Sequence, residues 1–223
     1  MFNPTPPRRP YNAKGSKVVR CPDCMLAQNY CICAERNPVA VDFEIWLLMH
    51  KEEAYKPTNT GRLIEDTIPE HSRRFYWHRT EPDAQFLALL QSEDYQAHII
   101  FPDDRGGYDE RVVQQPIRTP GKIPAFIILD GSWRQAGRMF RLSQYLQTLP
   151  VLPIKTQRLS QYKLRKAPDD FHLCTAEVAM ALMEMMQADY ALSSLQHLFD
   201  AFNDSYANSR RNILPNKSDE PSA

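Results

Sequence analysis

Residues 130–133, with the sequence Asp-Gly-Ser-Trp, combine a carboxylate, a hydroxyl and a large aromatic ring directly after the apolar run Ala125–Leu129. The run predicts a buried strand that ends at Asp130, followed by a turn and a helix. In an open α/β sheet, ligands bind just outside the carboxyl ends of the strands, so this stretch is a candidate ligand site. The same residues also suit a helix start, because Asp or Ser can cap a helix and Trp133 can pack in the core.

Two further apolar runs end in polar or turn-forming residues. Phe43–Met49 is followed by His50 and, a few residues later, by a Thr-Asn-Thr cluster at residues 58–60. His98–Phe101 is followed by Pro102. Each run predicts another buried strand. If the three strand ends meet, they form one crevice, but the sequence alone does not show that they meet.

Four of the five cysteines form a cluster in the sequence: Cys21, Cys24, Cys31 and Cys33. In an intracellular chain, such a cluster favours metal binding over disulfides. Four thiolates make a closed structural tetrahedron around zinc, so we predict a zinc knuckle. An iron–sulfur cluster or redox disulfides are the alternatives. We interpret the fifth cysteine, Cys174, as a small buried residue.

The composition excludes several protein classes. The chain has 223 residues, 43% of them hydrophobic, and a formal net charge of zero, which fits one sizeable domain with a small appendage. We find neither a signal peptide nor a membrane-spanning run, so we expect a soluble, cytoplasmic protein without a membrane partner. Residues 1–20 contain basic residues and no acidic one, so the neutral total can hide a basic face.

The remaining pattern alternates predicted strands and helices, which indicates an α/β domain with a largely parallel sheet. Helices are predicted over residues 82–92, from Trp133 to about Gln147, and after a cap at Thr175. Short strands are predicted at Phe75–Arg79 and, at an edge, Val151–Lys155. The predicted organisation is a basic flexible tail (1–20), a four-cysteine zinc knuckle (21–40), a catalytic domain (41–205) and a disordered tail (206–223).

Three arginines share one face of the predicted helix after Trp133, because Arg134, Arg138 and Arg141 are four and three residues apart. Arginines on one face can bind RNA phosphates. The same spacing is also typical of an ordinary solvated helix face, and the sequence leaves both interpretations open.

Four motifs in this order resemble the DTW-domain family, the tRNA-uridine aminocarboxypropyltransferases, in its bacterial single-domain type. They are the Cys-x2-Cys-x6-Cys-x-Cys knuckle, the segment Met49-His50…Glu53…Thr58-Asn59-Thr60-Gly61-Arg62-Leu63, the stretch Leu129–Trp133, and the segment Arg165…Cys174-Thr175-Ala176-Glu177. The resemblance covers roughly residues 20–190. One position departs from the family signature Asp-x-Thr-Trp, since Ser132 keeps the hydroxyl of the Thr and lacks its methyl group.

The resemblance implies a SPOUT-like α/β fold, with helices on both faces of the sheet and S-adenosylmethionine held in a knotted C-terminal region. It implies transfer of the 3-amino-3-carboxypropyl group of S-adenosylmethionine to N3 of a tRNA uridine, with release of methylthioadenosine. In the bacterial type, the expected target is the variable-loop uridine at tRNA position 47. Zinc would be structural, and no obligate protein partner is inferred.

The resemblance also implies roles for individual residues. The expected catalytic residues are Asp130, Ser132 and Trp133. The expected donor-binding residues are Pro102, Leu129, Asp130, Ser132, Trp133, Arg165 and Thr175. The expected tRNA-binding residues are His50, Thr58, Asn59, Arg62, Arg134 and Arg138. Asp130 is the candidate base for the N3 proton, or it holds only the loop or the donor's ammonium group, and His50 equally suits a packed strand end.

Two rival functions remain open from the sequence. A SPOUT-type RNA methyltransferase would share the fold and the donor but would leave S-adenosylhomocysteine. A non-catalytic zinc-knuckle RNA-binding protein would depend on the four cysteines and would not need Asp130.

Overall fold

A computed structural model describes residues 18–103, 106–154 and 173–211 of the chain. The strands are β1 (Glu44–Met49), β2 (Ser72–Tyr76), β3 (Tyr95–Ile100), β4 (Ile123–Asp130) and β5 (Val151–Leu152). The α-helices are α1 (Gly61–Thr67), α2 (Ala84–Gln91), α3 (Trp133–Leu142), α4 (Thr175–Met185) and α5 (Asp189–Arg211). Short 3-10 turns connect several of these elements.

These strands form one sheet in the order β2-β1-β4-β3-β5, and every neighbouring pair is parallel. The predicted α/β class with a largely parallel sheet is therefore confirmed. β4 is the central strand, and its residues after Ile123 are buried because both faces of the sheet are covered. Since all strands run the same way, their carboxyl ends share one edge, where Met49 of β1 pairs with Asp130 of β4.

Helices pack on both faces of the sheet, as predicted. Alternate side chains of β1 point to opposite faces, so Ile45 and Leu47 join one core cluster while Trp46 and Leu48 join the other. The first cluster includes apolar residues of α1, α4 and α5. The second includes apolar residues of α2 and α3.

The cysteine segment is part of the first core cluster. Cys21, Cys24, Leu26 and Ile32 are buried in this cluster, which also contains residues of α4 and α5. The Ser194 hydroxyl of α5 also donates to the carbonyl of Asn37, at 2.5 Å. The predicted knuckle at residues 21–40 is therefore packed on the domain and does not stand apart from it.

The buried carboxylate of Glu44 connects the amino ends of three strands, at the edge of the sheet opposite the candidate site. Glu44 accepts hydrogen bonds from Trp46 Nε1 at 2.6 Å, from Arg73 at 2.8 and 2.9 Å, and from the Tyr95 hydroxyl at 2.9 Å. Burial by itself would raise the pKa of Glu44, but the hydrogen bonds from Arg73, Trp46 and Tyr95 outweigh it and hold that pKa below its ordinary value. These contacts join β1, β2 and β3.

Two predicted element boundaries are wrong near the middle of the chain. Helix α3 ends at Leu142, short of Gln147, because Ser143 leaves the helical conformation and its buried hydroxyl accepts a hydrogen bond from Trp77 Nε1 at 2.8 Å. β2 covers Ser72–Tyr76, three residues earlier than predicted at its start.

The C-terminal part also differs from the prediction. β5 ends at Leu152, ahead of Pro153, which has no backbone N–H for a further ladder bond. Helix α5 continues to Arg211, so residues 206–211 are helical and do not belong to a disordered tail. The predicted knot depends on the connection between β5 and α4, whose residues 155–172 lie outside the described part of the chain, as do tail residues 1–17 and 212–223. The knot and the SPOUT-like topology therefore stay predictions.

Candidate functional site

The site is built around the carboxylate of Asp130, the last residue of β4. Asp130 is 2% exposed, and each of its oxygens accepts a hydrogen bond from a distant segment. Asn59 Nδ2 donates to Oδ2 at 2.7 Å, and the Thr175 hydroxyl donates to Oδ1 at 2.6 Å. Three of the segments singled out in the sequence thus meet at one carboxylate, and their hydrogen bonds fix its orientation.

Gly61 lets the backbone of α1 approach this carboxylate closely. A Cβ atom at position 61 would lie 2.8 Å from Oδ2 of Asp130 and 3.2 Å from Oδ1 of Asn59. Both neighbours are buried and hydrogen-bonded to each other, so neither can move away freely. Sequence reasoning did not assign a role to Gly61, although a glycine directly after the Thr-Asn-Thr cluster is the signal that could have revealed it.

The start of α4 also joins the site. The backbone N–H of Ala176, its second residue, donates to the Thr60 hydroxyl at 3.2 Å. The predicted cap at Thr175 is wrong, because Cys174 is the N-cap and its backbone N–H donates to Glu177 at 2.8 Å. Thr175 instead uses its hydroxyl on Asp130. Cys174 was predicted to be buried; it is partly buried against the first core cluster, and this burial raises the pKa of its thiol.

Ser132 is the N-cap of α3 and forms a capping box with Gln135. Its hydroxyl accepts from the Gln135 backbone N–H at 3.3 Å, and Gln135 Oε1 accepts from the Ser132 backbone N–H at 2.8 Å. The capping interpretation of this turn therefore holds for Ser132, while Asp130 is engaged elsewhere. Trp133 is the first helical residue and is half-buried.

Gln135 connects this turn to the loop that follows β1. Its Nε2 lies 3.1 Å from His50 Nδ1 and donates to Glu52 at 2.8 Å. His50 also stacks on Trp77, with ring centroids 6.0 Å apart. Sequence reasoning missed both Gln135 and Trp77, although the Ser-x-x-Gln spacing of a capping box was present as a signal.

Two of the other predicted site residues lie at the edge of the sheet where the strands end, and the rest lie elsewhere in the chain. Leu129 is buried in β4, and Pro102 follows β3 at the same edge of the sheet, with its carbonyl accepting a hydrogen bond from Tyr108. Thr58 is half-buried in the loop after β1, and Arg165 lies outside the described residues.

Arg62 is buried and reaches two backbone carbonyls. Nη1 donates to the carbonyl of Cys24 at 3.2 Å, and Nη2 donates to that of Lys56 at 3.0 Å. Arg134 and Arg138, by contrast, are exposed on α3, which is expected both for a face that binds RNA phosphates and for an ordinary solvated face.

The four clustered cysteines form a candidate metal centre. Three sulfur pairs lie close together: Cys21–Cys33 at 3.6 Å, Cys24–Cys31 at 3.8 Å and Cys21–Cys31 at 3.5 Å. All four sulfur atoms lie within 4.8 Å of one another, so one ion could contact them all. A zinc tetrahedron with Zn–S bonds of about 2.3 Å has edges of about 3.8 Å, whereas a disulfide needs about 2.05 Å.

The electrostatics of the cluster differ between its thiols. The backbone N–H groups of Cys24 and Asp23 lower the pKa of Cys21 to about 7, which favours the thiolate that a metal needs. Burial raises the pKa of Cys24 and of Cys33. A bound cation would compensate for the cost of ionising these buried thiols.

Comparisons with known proteins indicate which family the chain resembles. The family model described as "DTW domain" matches residues 18–207. A tRNA-uridine aminocarboxypropyltransferase 2 of Macaca fascicularis is 24% identical over 176 residues, which are 75% of this chain and 56% of that protein. Those of Mus musculus and Drosophila melanogaster are each 23% identical, over 75% and 76% of this chain and 56% and 67% of those proteins.

The chain spans about half the length of the first two of these relatives, at 56% of each. No solved structure matches the chain significantly. Among the described residues, no helix has both the length and the apolar character needed to cross a bilayer.

Proposed function

The chain belongs to the DTW domain family, and we propose that it is a tRNA-uridine aminocarboxypropyltransferase with S-adenosylmethionine as donor. The 3-amino-3-carboxypropyl group would move to N3 of the uridine at position 47 in the tRNA variable loop. The names of the relatives support the transferase activity and the tRNA substrate. The observation that carries the proposal is the buried Asp130 carboxylate, held from both sides at the edge where parallel sheets bind ligands.

In the proposed reaction, uridine N3 gives up its proton and attacks the carbon of the 3-amino-3-carboxypropyl group that is bonded to the sulfonium. The new N3–C bond forms as the C–S bond breaks, and the electron pair returns to sulfur in methylthioadenosine. We assign proton removal to Asp130, because N3 is nucleophilic only without its proton. The alternative role of Asp130 is to hold the donor's ammonium group.

Orientation is the main catalytic device in this proposal. Every carbon attached to a sulfonium is electrophilic, so the group transferred is the one that faces N3 in line. Asn59 and Thr175 would serve by fixing the carboxylate, and Trp133 would form a wall against the adenine. Because Gln135 engages the Ser132 hydroxyl, we assign Ser132 the role of holding the turn against which the donor binds. Pro102 and Leu129 would line the same end of the sheet.

The tRNA would contact the exposed face of α3. Folded RNA is recognised largely through its phosphates and shape, with the target base splayed out. Arg134, Arg138 and Arg141 are exposed there, whereas Arg73 and Arg74 already form ion pairs with Glu44 and Glu65. His50 and Thr58 stay proposed contacts for the RNA, and Arg165 a proposed partner of the donor's carboxylate.

Zinc would be held by Cys21, Cys24, Cys31 and Cys33. Four thiolates leave no open coordination position, so the ion would supply folding free energy and no catalytic group. The chemistry proposed above therefore depends on the protein side chains and on the donor.

The test compares the full-length protein with its Asp130→Asn variant in the presence of S-adenosylmethionine and unmodified tRNA. We expect the wild-type protein to release methylthioadenosine and the variant to release none, while the variant keeps its zinc content and still unfolds in one cooperative transition. Full turnover by the variant would overturn the assignment of the base. Tight tRNA binding by the wild-type protein without any release of methylthioadenosine would overturn the transferase and favour a binding protein.

A further inference from the structure

The guanidinium of Arg62 joins the cysteine cluster to the loop before α1. Its Nη1 donates to the backbone carbonyl of Cys24, one of the four candidate metal ligands, at 3.2 Å. Its Nη2 donates to the backbone carbonyl of Lys56 at 3.0 Å. Arg62 is 8% exposed; its hydrogen bond to Cys24 is buried and its hydrogen bond to Lys56 is partly buried. A single side chain therefore fixes the distance between the two segments.

The same Lys56 carbonyl holds the residue that contacts Asp130. It also accepts the backbone N–H of Asn59 at 3.0 Å, and the Asn59 side chain then donates to Asp130 at 2.7 Å. The Asn59 side-chain oxygen in turn faces the backbone N–H of Arg62 at 3.4 Å. A continuous chain of hydrogen bonds thus runs from Cys24 through Arg62, Lys56 and Asn59 to Asp130.

The turn that presents the Cys24 carbonyl needs support. Met25, the next residue, has φ of 63°, a left-handed conformation that a residue with a Cβ atom adopts rarely. The turn is closed by hydrogen bonds between Cys21 and its neighbours Met25 and Leu26, at 3.0 and 2.9 Å. A metal ion bound by Cys21 and Cys24 would hold both ends of this turn and with them the carbonyl that Arg62 uses.

We propose that Arg62 is a positioning residue that couples metal occupancy of the cysteine cluster to the orientation of Asp130. The metal fixes the Cys24 carbonyl, Arg62 transmits its position to the Lys56 carbonyl, and Asn59 sets the carboxylate. The consequence for the donor rests on the proposed function, in the alternative where Asp130 holds the donor's ammonium group, because a preorganised carboxylate binds that group more tightly. Coupling is reciprocal, so the donor also strengthens metal binding.

The chain offers a matched control for this role. Arg36 also connects the cysteine segment to α1, through an ion pair with Asp66 at 3.0 Å. That pair lies at the far end of α1 and does not contact the Lys56 carbonyl. Arg36→Met therefore removes a contact of similar type without interrupting the chain of hydrogen bonds. Arg62→Lys keeps the charge and a donor but lacks the fork that reaches two carbonyls at once.

Hydrogen exchange of the full-length protein tests the proposal without any ligand. The readout is exchange at the backbone N–H groups of Glu53, Lys56 and Asn59, each of which donates to a carbonyl in the loop. Removing the metal from the wild-type protein should speed this exchange by about tenfold, within the usual range of coupling between sites. In Arg62→Lys, these N–H groups should exchange at the fast rate even with metal bound, and removing the metal should not speed their exchange further. Arg36→Met should behave as the wild-type protein.

Two results overturn the coupling. One is a wild-type loop that exchanges equally with and without metal, and the other is an Arg62→Lys loop that keeps its metal-dependent protection. Unchanged exchange across β4 shows that the variants are folded, which separates positioning from a general loss of structure.

Equilibrium dialysis with S-adenosylmethionine separates this proposal from the proposed function. We expect metal removal to weaken donor binding about tenfold in the wild-type protein and Arg36→Met, and not in Arg62→Lys. If no form binds the donor while the exchange pattern holds, the coupling stands and the donor assignment fails. If the donor binds equally with and without metal, and exchange is also unchanged, the coupling fails and the donor assignment stands.

Discussion

The hydrogen bond from Thr175 to Asp130 gives the sharpest test of how the site is held. Its donor and acceptor lie 2.6 Å apart, and the acceptor carboxylate is 2% exposed. Thr175→Val replaces the hydroxyl by a methyl group of nearly the same shape. The variant therefore removes one donor and leaves the packing of α4 intact. Thr175→Ser is the matched control, because it restores the hydroxyl and removes only the methyl group.

The expected magnitude follows from the charge and the burial of the acceptor. A hydrogen bond to a charged group contributes about 1.5–3 kcal/mol. For a protein of this size, such a loss lowers the melting temperature by about 3–12 °C. If the same bond also orients Asp130 in the transition state, the loss corresponds to a fall in kcat/KM of about 10- to 150-fold.

Thermal unfolding and turnover, measured on the same three proteins, check this prediction. Thr175→Val should melt earlier and turn over more slowly, and Thr175→Ser should remain close to the wild-type protein in both. Equal stability of Thr175→Val and the wild-type protein would refute the reasoning, because a shielded bond to a carboxylate cannot be lost without cost. Lower stability with unchanged turnover would restrict Thr175 to a structural role.

Three further predictions address other parts of the molecule. Gly61→Ala should reduce turnover about 100-fold in a folded protein, because its Cβ would displace Asp130, and the assay is methylthioadenosine release; unchanged turnover would contradict the close approach. The folded pKa of Glu44 is depressed, so its contribution to stability is fully present above the ordinary value of 4.5 and is lost as the pH falls through the lower, folded pKa. Urea unfolding of the wild-type protein and of Glu44→Gln should therefore differ at pH 7 and converge in acid. A difference that persists at low pH would contradict this sign. Replacing Arg134 and Arg138 by Glu should weaken tRNA binding and lower the salt slope by about one for each phosphate that the variant no longer binds, whereas equal slopes would place the tRNA elsewhere.

The parallel sheet is predictable from the sequence because its strands are buried on both sides. Such strands appear as uninterrupted apolar runs, and Phe43–Met49 and Ala125–Leu129 are of this kind. β2 is harder to predict, since it is an edge strand whose Arg73 and Arg74 side chains form ion pairs. The aromatic residues at its end indicate a strand in the sequence, whereas the two arginines near its start do not.

The contacts of distant segments with Asp130 cannot be predicted from local sequence patterns. Asn59 and Thr175 lie 71 and 45 residues away along the chain, and no spacing rule connects them to the end of β4. The same contact explains the wrong cap of α4, because Thr is statistically the better cap, but here its hydroxyl is used by Asp130. Tertiary demand therefore overrides the local preference and leaves Cys174 as the cap.

The capping box explains a departure from the family signature. Ser and Thr cap helices through the same side-chain oxygen, and Ser132 uses that oxygen for the backbone N–H of Gln135. A Thr at this position could make the same hydrogen bond. The methyl group is therefore dispensable for the turn, and Ser132 is compatible with the family's site.

Mass spectrometry of the products is the measurement that tests the central claim most directly. The full-length protein is incubated with S-adenosylmethionine and unmodified tRNA, and both the nucleosides and the donor by-product are identified. We predict methylthioadenosine together with uridine that has gained an aminocarboxypropyl group. A methyl gain with S-adenosylhomocysteine would contradict the proposed reaction and indicate an RNA methyltransferase on the same fold.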